Sequence, residues 1–411
     1  MAGLLCSAAS VAGATTLEEA IAAARAHAPQ LQVATAESDA AKARLDRARA
    51  ERMPSATLSG TIGWGRLDPK GYFGLLKQDV TPRAGQVTIE QPLFTGGRIG
   101  AGVAQAKAGA QAGAAGEELA RSQLVADVAQ AYGNVLTARQ LVAMHDRLVA
   151  ATGEIERQAK LRFKAGESPS TDVAQAAARR AEAQAGLARA QGMEVSARAH
   201  FANLTGLAAD DLQPLPANPV VPATLEEAME AAMHNSPMLA QAAAGLKAAE
   251  AADRGARAES WPTVGAFAEA GSVRDQFFPG YIGDSATVGV RARWNIFAGG
   301  RVAGKIKEAG SALRAAQARY AQARSGVEEQ VIAHFQNVRT SLLVEQAAQE
   351  QAASAEQALN SVRHEVRVGM KPQLALLDAE REAIGAGSAA AAARTDRIVA
   401  AYQLLSLIGH D

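Results

Sequence analysis

The residue types that carry out catalysis or bind metals are few and dispersed in this chain of 411 residues. Its seven histidines are scattered, no His-Glu-x-x-His pair occurs, and Cys6 is the single cysteine, so neither an intramolecular disulfide nor a cysteine cluster can form. Neither a Gly-x-Ser-x-Gly nucleophile motif nor a phosphate-binding loop is present. We therefore expect no enzyme activity, no metal site and no cofactor.

The charge and the composition indicate a helical protein that does not bind nucleic acid. The 42 basic and 42 acidic residues cancel, whereas binding to phosphates needs a basic surplus or patch. Aromatic residues make up only 4% of the chain, and alanine, a strong helix former, is abundant. This composition predicts long packed helices or coiled coils. The sequence contains no apolar stretch of about 18 residues, so it predicts no transmembrane helix.

The sequence contains the same pattern twice. Residues 16–20 (Thr-Leu-Glu-Glu-Ala) recur at 224–228, and residues 94–98 (Phe-Thr-Gly-Gly-Arg) recur as Phe-Ala-Gly-Gly-Arg at 297–301. The shift between the copies is 208 residues at the first motif and 203 from the second motif onward. A repeat of this length predicts a duplicated architecture rather than a short-period solenoid. The Gly-Gly-Arg residues are predicted strand-to-helix turns: Gly96, Gly97, Arg98, Gly299, Gly300 and Arg301.

Each copy predicts a very long helix followed by a shorter return helix. Apolar residues recur every seven positions, as at Val128, Val135, Val142 and Val149, which predicts a left-handed coiled coil. A helix of about 65 residues is about 100 Å long, and a short turn to the return helix makes an αα-hairpin. The predicted helices span 97–163 and 171–205 in the first copy, and 300–367 and 373–408 in the second.

Four segments alternate between apolar and polar residues, which predicts strands of about ten residues at 54–66, 84–94, 262–273 and 285–297. A tilted strand of that length crosses a bilayer. Trp64 and Trp294 fall at strand ends on the apolar face, where a lipid-facing aromatic belt would lie, and Arg291 and Arg293 fall on the polar face. The alternative is an ordinary sheet that is covered on one side. The third strand is ambiguous, because its apolar and acidic residues share a face.

These elements give a domain organisation with a first repeat at 15–205, a linker at 206–223 and a second repeat at 224–409. Residues 1–14 have the features of an export-signal remnant, with Val-Ala-Gly-Ala as the cleavage site, although a disordered alanine-rich N-terminus is the alternative. A lipid anchor on Cys6 is less expected, because Leu5 stands where a small residue is required. Four amphipathic strands leave open edges in a bilayer, so several chains must close the sheet. Two chains would give eight strands and an interior filled by side chains, and three would give twelve strands and a possible channel.

The order of elements, the duplication, the Gly-Gly-Arg after the second strand of each half and the two hairpin turns resemble the TolC-like outer-membrane factor family over residues 16–409. The resemblance implies a mainly α fold with β, in which a homotrimer builds a β-barrel from four strands per chain. A long periplasmic α-helical barrel of coiled-coil hairpins continues this barrel. Lipid of the cell outer membrane of a Gram-negative bacterium would surround the strands.

The same resemblance implies an exit duct of a tripartite export system, for type I secretion or efflux. A periplasmic adaptor (membrane fusion) protein and an inner-membrane ABC or proton-driven transporter would be its partners. The alternative from a different class is a soluble periplasmic coiled-coil scaffold or adaptor. The duplicated alternating strands argue against that alternative.

The resemblance also places functional residues at the hairpin turns. It puts Asp172 and Asp378 near a pore constriction, where six carboxylates in three chains would select for cations, and it gives Lys371 the position of a basic residue that helps to hold the tips shut. Ala375 and Val366 depart from the family pattern, which can carry an aspartate and a tyrosine at these positions. The tips would dock the adaptor through Gly166, Pro169, Gly369 and Pro372.

Two alternatives remain for the acidic residues, and one for the arginines of the polar strand face. Asp172 with Ser170 or Thr171 also fits an ordinary helix N-terminus, in which a capping residue and an acid are favoured. Asp378 could be a solvated helix residue. Arg291 and Arg293 are expected in the barrel lumen, and pairing with Glu90 or Glu269 on neighbouring strands is compatible with that position.

Overall fold

The computed structural model describes residues 14–68, 77–216, 219–276, 278 and 280–409. The chain divides into two compact units, and each takes segments from both repeats. Unit 1 comprises residues 1–35, 116–239 and 324–411, and unit 2 comprises residues 36–115 and 240–323. The predicted export signal, apart from Ala14, lies outside the described residues.

Eight described helices form two sets of four, and the matching helices have equal lengths of 11, 22, 67 and 36 residues. In the first copy they are α1 (Leu17–His27), α2 (Pro29–Ala50), α3 (Arg98–Lys164) and α4 (Ser170–Thr205). In the second copy they are α5 (Leu225–Asn235), α6 (Pro237–Ala258), α7 (Arg301–Arg367) and α8 (Gln373–Ile408). Among the described residues, no helix combines the length and apolarity that a membrane crossing requires.

The repeated Thr-Leu-Glu-Glu-Ala motif is the start of a helix in both copies. The Thr16 hydroxyl accepts a hydrogen bond from the Glu19 backbone N–H at 3.1 Å, and the Glu19 carboxylate accepts one from the Thr16 N–H at 2.9 Å. Thr224 and Glu227 form the same reciprocal pair. This arrangement satisfies two N–H groups that a helix end would otherwise leave without partners, so the motif fixes where α1 and α5 begin.

Unit 2 contains the described strands β1 (Ser55–Ile62), β2 (Gly65–Leu67), β3 (Gln78–Val80), β4 (Arg83–Phe94), β5 (Thr263–Arg274) and β6 (Ile282–Arg293). Four of them form an antiparallel sheet in the order β1-β4-β5-β6, and β2 and β3 form a two-stranded ribbon. Gly63 donates a backbone hydrogen bond to Pro82 at 2.9 Å, and the pairing of Ile62 with Arg83 continues as Gly65 with Val80, so one hairpin register runs through the break. Pro82 has no N–H to donate, which explains the interruption.

The last strand ends four residues before the sequence pattern predicts. The pattern continues to residue 297, whereas β6 ends at Arg293. In the first copy the corresponding stretch of β4 continues to Phe94, because it pairs there with Val264 of β5. Strand β6 is an edge strand, so within one chain its end has no neighbour to pair with.

The main core of unit 1 lies where α1, α3 and α4 meet the linker. Small alanines of α1 allow its close approach to α4, and the rings of Tyr132 and Phe201 pack edge to face with centroids 6.1 Å apart. Leu212 and Leu215 of the linker complete this core. Burying a side chain of this size stabilises the fold by about 1.5–3 kcal/mol.

Residues 206–216, which we call the linker strap, are fixed by side chains of α3 and α8. The Tyr132 hydroxyl lies 2.8 Å from the Thr15 carbonyl oxygen and 2.7 Å from that of Gln213. Arg394 donates to the Leu215 carbonyl at 2.9 Å, and Arg139 donates to the carbonyls at the start of the strap. Burial raises the pKa of Tyr132 to about 12, which keeps its hydroxyl protonated as a donor.

Candidate channel, gate and docking sites

The Gly-Gly-Arg turns connect strand to long helix through left-handed glycines. Gly96 and Gly97 have φ values of 61° and 90°, and Gly299 and Gly300 have 58° and 83°. At Gly96 there is a second constraint, because a Cβ would lie 2.5 Å from the Cβ of Trp261. Arg98 and Arg301 begin the long helices, and Arg98 lies 3.7 Å from the Glu51 carboxylate. The motif is therefore a backbone device that redirects the chain.

The sheet has one apolar face and one polar face across all four strands. On the apolar face Leu58, Val87, Ala270 and Ala286 lie in one row, and the next row is Ala56, Ile89, Ala268 and Val288. Leu58 is 79% exposed and Val288 is 84% exposed, so this face is uncovered within unit 2. The opposite face carries the row Thr57, Thr88, Glu269 and Thr287. The alternative of an ordinary sheet covered on one side is therefore wrong for unit 2.

A stacked arginine explains the ambiguous third strand. Phe267 lies on the polar face, and the Arg291 guanidinium carbon is 4.3 Å from its ring centroid. Arg291 also donates to the Glu269 carboxylate at 2.8 Å, so Glu269 is its partner rather than Glu90. Gly289 lies opposite Phe267 and leaves room for the ring. Arg293 forms no ion pair with the described residues.

The predicted belt tryptophans lie beyond opposite ends of the strands. Trp64 separates β1 from β2 and is 83% exposed, while Trp294 follows β6 and donates its indole N–H to the Ser260 carbonyl at 3.1 Å. Eleven steps along β5 span about 36 Å. A tilt of about 40° reduces this to about 28 Å, close to the apolar band of about 25 Å in membrane barrels. The sequence pattern missed Trp261, a third exposed tryptophan next to the Gly-Gly-Arg turn.

Both hairpin turns are glycine-capped helix ends of the same type. The N–H of Glu167 donates to the Arg162 carbonyl at 2.9 Å, and the N–H of Gly166 donates to that of Phe163 at 3.0 Å. The second turn repeats this pattern around Gly369, with φ values of 76° and 80° at the two glycines. Pro169 and Pro372 are the N-caps of the return helices. Neither Ser170 nor Thr171 caps α4, so that part of the structural alternative for Asp172 is wrong.

The two aspartates differ in their surroundings. Asp172 lies in the first turn of α4 and lines a cavity of about 310 Å³ between the two hairpins of unit 1. Arg162 and Arg179 line the same cavity, so the carboxylate faces positive charge. Asp378 is exposed on α8 and has no ion pair among the described residues. Asp172 lines this cavity and Asp378 is not among its lining residues.

Lys371 is paired within its own hairpin turn. Its Nζ lies 2.8 Å from Glu365 Oε2 in the last turn of α7. Both side chains are more than a third exposed, and such surface pairs contribute about 0–1 kcal/mol. Any contact between Lys371 and another chain would therefore compete with this pair. The gate role of Lys371 remains a prediction.

An ion triad that the sequence pattern missed joins α3 to α4. Glu156 accepts from Lys160 at 2.5 Å and from Arg180 at 2.9 Å, and these two hydrogen bonds hold the pKa of the Glu156 carboxyl below its usual value. The counterpart of Glu156 at the 203-residue shift is the buried Leu359. A glutamate at a buried coiled-coil position was the available signal, but its partner on α4 is visible only in the structure.

The sheet with one uncovered apolar face and the duplicated long hairpins define a class of outer-membrane protein that also contains periplasmic helices. The model of the outer membrane efflux protein family matches residues 20–207 and 228–410. The chain belongs to the outer membrane efflux protein family. This confirms the resemblance and the outer-membrane location, and the members of this family are efflux proteins rather than enzymes.

Individual relatives agree with this assignment. The chain is 28% identical over 281 residues to the outer membrane efflux protein BepC of Brucella suis. The aligned segment covers 68% of this chain and 61% of BepC. The chain is also 32% identical over 258 residues to protein CyaE of Bordetella pertussis. This aligned segment covers 60% of this chain and 52% of CyaE. The matched segments thus span less than two thirds of either relative.

A solved structure confirms the fold class. The crystal structure of a membrane protein from Pseudomonas aeruginosa superimposes with a TM-score of 0.81 at 22% identity, and it covers 95% of this chain and 93% of that chain. At this identity the likeness shows the fold alone. The duplicated fold of four strands and long helical hairpins is therefore shared with a membrane protein.

Proposed function

We propose that three copies of this chain form an exit duct through the outer membrane. The observation that carries this proposal is the four-stranded sheet, which has one uncovered apolar face and two unpaired edges, β1 and β6. Lipid does not tolerate open strand edges, so neighbouring copies must pair them. Twelve strands from three copies leave an interior wide enough for a channel, and the row of threonines with Glu269 would line it.

The internal repeat supplies the register for the pairing between copies. Within one chain β4 pairs with β5, and Ile89 lies opposite Ala268. Shifting β4 by 203 residues gives β6, and shifting β5 back by 208 gives β1. The same register then places Ala292 opposite Gly60 of the next copy. Both residues belong to the apolar face, so the two-faced pattern would continue around the barrel.

We further propose that the hairpin tips are the periplasmic end of the duct. Leu161, Phe163, Val368 and Met370 expose apolar surface at the tips, and Asp172 and Asp378 lie on the helices that follow. An adaptor protein would dock at these tips and connect the duct to an inner-membrane transporter, either ABC-type or proton-driven. The cargo would leave by type I secretion or efflux.

Two substitutions on adjacent residues test the membrane assignment. Val288→Arg places a charge on the apolar face, and Thr287→Arg places one on the polar face. A charge facing lipid costs about 2–4 kcal/mol at the bilayer midplane, so we expect Val288→Arg to abolish recovery from the outer membrane and Thr287→Arg to retain it. The unmodified chain should require detergent, have the mass of three copies and conduct ions in a planar bilayer. A non-conducting protein that is extracted without detergent would instead support the scaffold or adaptor alternative.

A further inference from the structure

One face of α3 is tightly covered by α8 within unit 1. A Cβ on Gly133 would overlap the side chain of Thr395, and the hydroxyls of Thr137 and Thr395 are 3.1 Å apart. Further along, a Cβ on Gly387 would lie 2.7 Å from the Met144 methyl group. At each contact a glycine on one helix receives a larger side chain of the other. This arrangement fixes the antiparallel register of the two helices.

The residues of α7 and α4 that correspond to this contact are exposed. Moving the α3 face by 203 residues gives a line of exposed residues on α7, the α7 stripe: Ile332, Gln336, Thr340, Leu343 and Ala347. Moving the α8 face back by 203 residues gives a line of exposed residues on α4, the α4 stripe: Gln184, Ala188, Gly192 and Val195. Ile398 of α8 is 0% exposed, whereas its counterpart Val195 is 68% exposed, and Leu343 is 65% exposed. Apolar side chains therefore lie open on both stripes.

Gly192 has no packing role among the described residues of a single chain. It lies inside a helix of 36 residues, where glycine is less favourable than alanine. A Cβ at Gly192 would meet nothing within 4 Å. The repeat maps the contact of Gly133 with Thr395 onto Gln336 and Gly192, so the small and the large residue exchange helices. Gly192 would then leave room for the Gln336 side chain of a neighbour.

The second contact of the α3 face shows the same exchange. The repeat maps Met144 and Gly387 onto Ala347 and Gln184. In the mapped pair of Gln336 and Gly192 the larger residue lies on the long helix. In the mapped pair of Ala347 and Gln184 it lies on the return helix. Ala347 would therefore leave room for the Gln184 side chain of a neighbour, so both mapped contacts keep one small and one large residue.

We propose that the α7 stripe of one copy packs antiparallel against the α4 stripe of the next. The register pairs Gln336 with Gly192 of the neighbouring copy and Ala347 with Gln184 of that copy. The partner is a second copy of this chain, because the two stripes repeat a contact that the chain already makes with itself. A contact between two different faces forms a ring when the rotation between copies closes. This inference rests on the proposed three-copy duct, in which the rotation closes after three copies, and it specifies the helical interface of that duct.

Paired cysteines test the register in a Cys6→Ser background, where the introduced residues are the only cysteines. We expect inter-chain disulfides in the variants Gln336→Cys with Gly192→Cys and Ala347→Cys with Gln184→Cys, after oxidation in isolated membranes. The swapped combinations, Gln336→Cys with Gln184→Cys and Ala347→Cys with Gly192→Cys, are the matched controls. They displace the partners by about 12 Å along a helix. Disulfides require Cα atoms within about 7 Å, so the controls should cross-link at least tenfold less.

A second measurement uses the space at Gly192. We expect Gly192→Ala to assemble as the unmodified chain does, and Gly192→Trp to reduce the recovered trimer at least tenfold with its helix content unchanged in circular dichroism. The inference is overturned if the swapped pairs cross-link as well as the matched pairs, or if Gly192→Trp assembles normally. An intact conducting trimer with the wrong cross-links would refute this register alone. A chain that neither associates nor conducts would refute the proposed duct as well.

Discussion

Replacing Tyr132 with phenylalanine isolates the hydrogen bonds that fix the linker strap. The hydroxyl has one proton to donate and lies within 2.8 Å of the Thr15 and Gln213 carbonyl oxygens. The ring remains in Tyr132→Phe, so its edge-to-face contact with Phe201 is kept and no large cavity forms. The repeat supports this choice, because the counterpart of Tyr132 on α7 is Phe335, which lacks the hydroxyl.

The expected loss of local stability is about 1–2 kcal/mol. A neutral hydrogen bond contributes about 1 kcal/mol net, and a buried carbonyl left without a donor costs about 1–3 kcal/mol. The Thr15 carbonyl also accepts a backbone hydrogen bond from the Gln213 N–H at 3.0 Å, so it keeps one donor. The loss of stability therefore lies at the lower end of this range. In equilibrium terms, 1–2 kcal/mol corresponds to a factor of about 5–30.

Amide hydrogen exchange measures this opening directly. We expect the backbone amides of Thr15 and Gln213, which donate within the strap, to exchange about 5- to 30-fold faster in Tyr132→Phe. Amides at the hairpin tips should not change. Tyr402→Phe is the matched control, because Tyr402 packs against the same core and its hydroxyl makes no hydrogen bond to the described residues. Unchanged exchange at Thr15 and Gln213, or an equal effect of the control, would refute the reasoning.

Three further predictions concern the gate, the first hairpin and the strand-to-helix turns. Changing Asp172 and Asp378 to alanine should weaken cation preference in planar-bilayer conductance, and unchanged selectivity would remove both from the pore. The carboxyl of Glu156 has a pKa below its ordinary value of 4.5. The carboxylate therefore stabilises the fold fully above pH 4.5, and this stabilisation is lost as the pH falls through the lowered pKa. Glu156→Gln should flatten this part of the pH–stability curve, measured by thermal unfolding. Gly96→Ala and Gly299→Ala both force a left-handed alanine, at about 1 kcal/mol each. Gly96→Ala should unfold at the lower temperature because it also meets Trp261, and equal melting temperatures would contradict this.

The repeat in the sequence predicts much of the fold because the relevant signals are local. The capping residues Thr16 and Thr224 mark helix starts, and the left-handed glycines Gly166 and Gly369 mark helix ends. Alternation alone separates the two faces of the sheet, since side chains in a strand alternate with period two. Each of these signals is read within a few residues, so two copies of the sequence report them twice.

Contacts between distant segments were beyond the reach of the sequence patterns. The position of Phe267 on the polar face depends on Arg291 and Gly289, which belong to the neighbouring strand. Asp172 and Arg179 of α4 line the same cavity as Arg162 because α4 folds back onto α3. No periodicity within one segment specifies which charge of another segment will be its neighbour.

The two hairpins have helices of the same lengths, but some of their side-chain interactions differ in chemical kind. Three positions of the first copy are polar where the second copy is apolar: Tyr132 and Phe335, Glu156 and Leu359, and Asp172 and Ala375. Charge pairs weaken with salt and acid, whereas apolar burial does not depend on protonation. Both hairpins also have ion pairs between their helices: Glu156 with Arg180 in the first, and Glu345 with Arg397 and Glu380 with Arg363 in the second. Two hydrogen bonds lower the pKa of Glu156, so its stabilising effect is lost in acid, whereas burial raises the pKa of Glu380, so protonation of Glu380 does not destabilise the folded chain. Acid should therefore loosen the contact of α3 with α4 before that of α7 with α8. Hydrogen exchange of the two return helices from pH 6 to pH 3 measures this order, because the Glu156 pair is lost only below its ordinary pKa of 4.5. Equal protection of α4 and α8 throughout this range would show that the polar residues do not set the order.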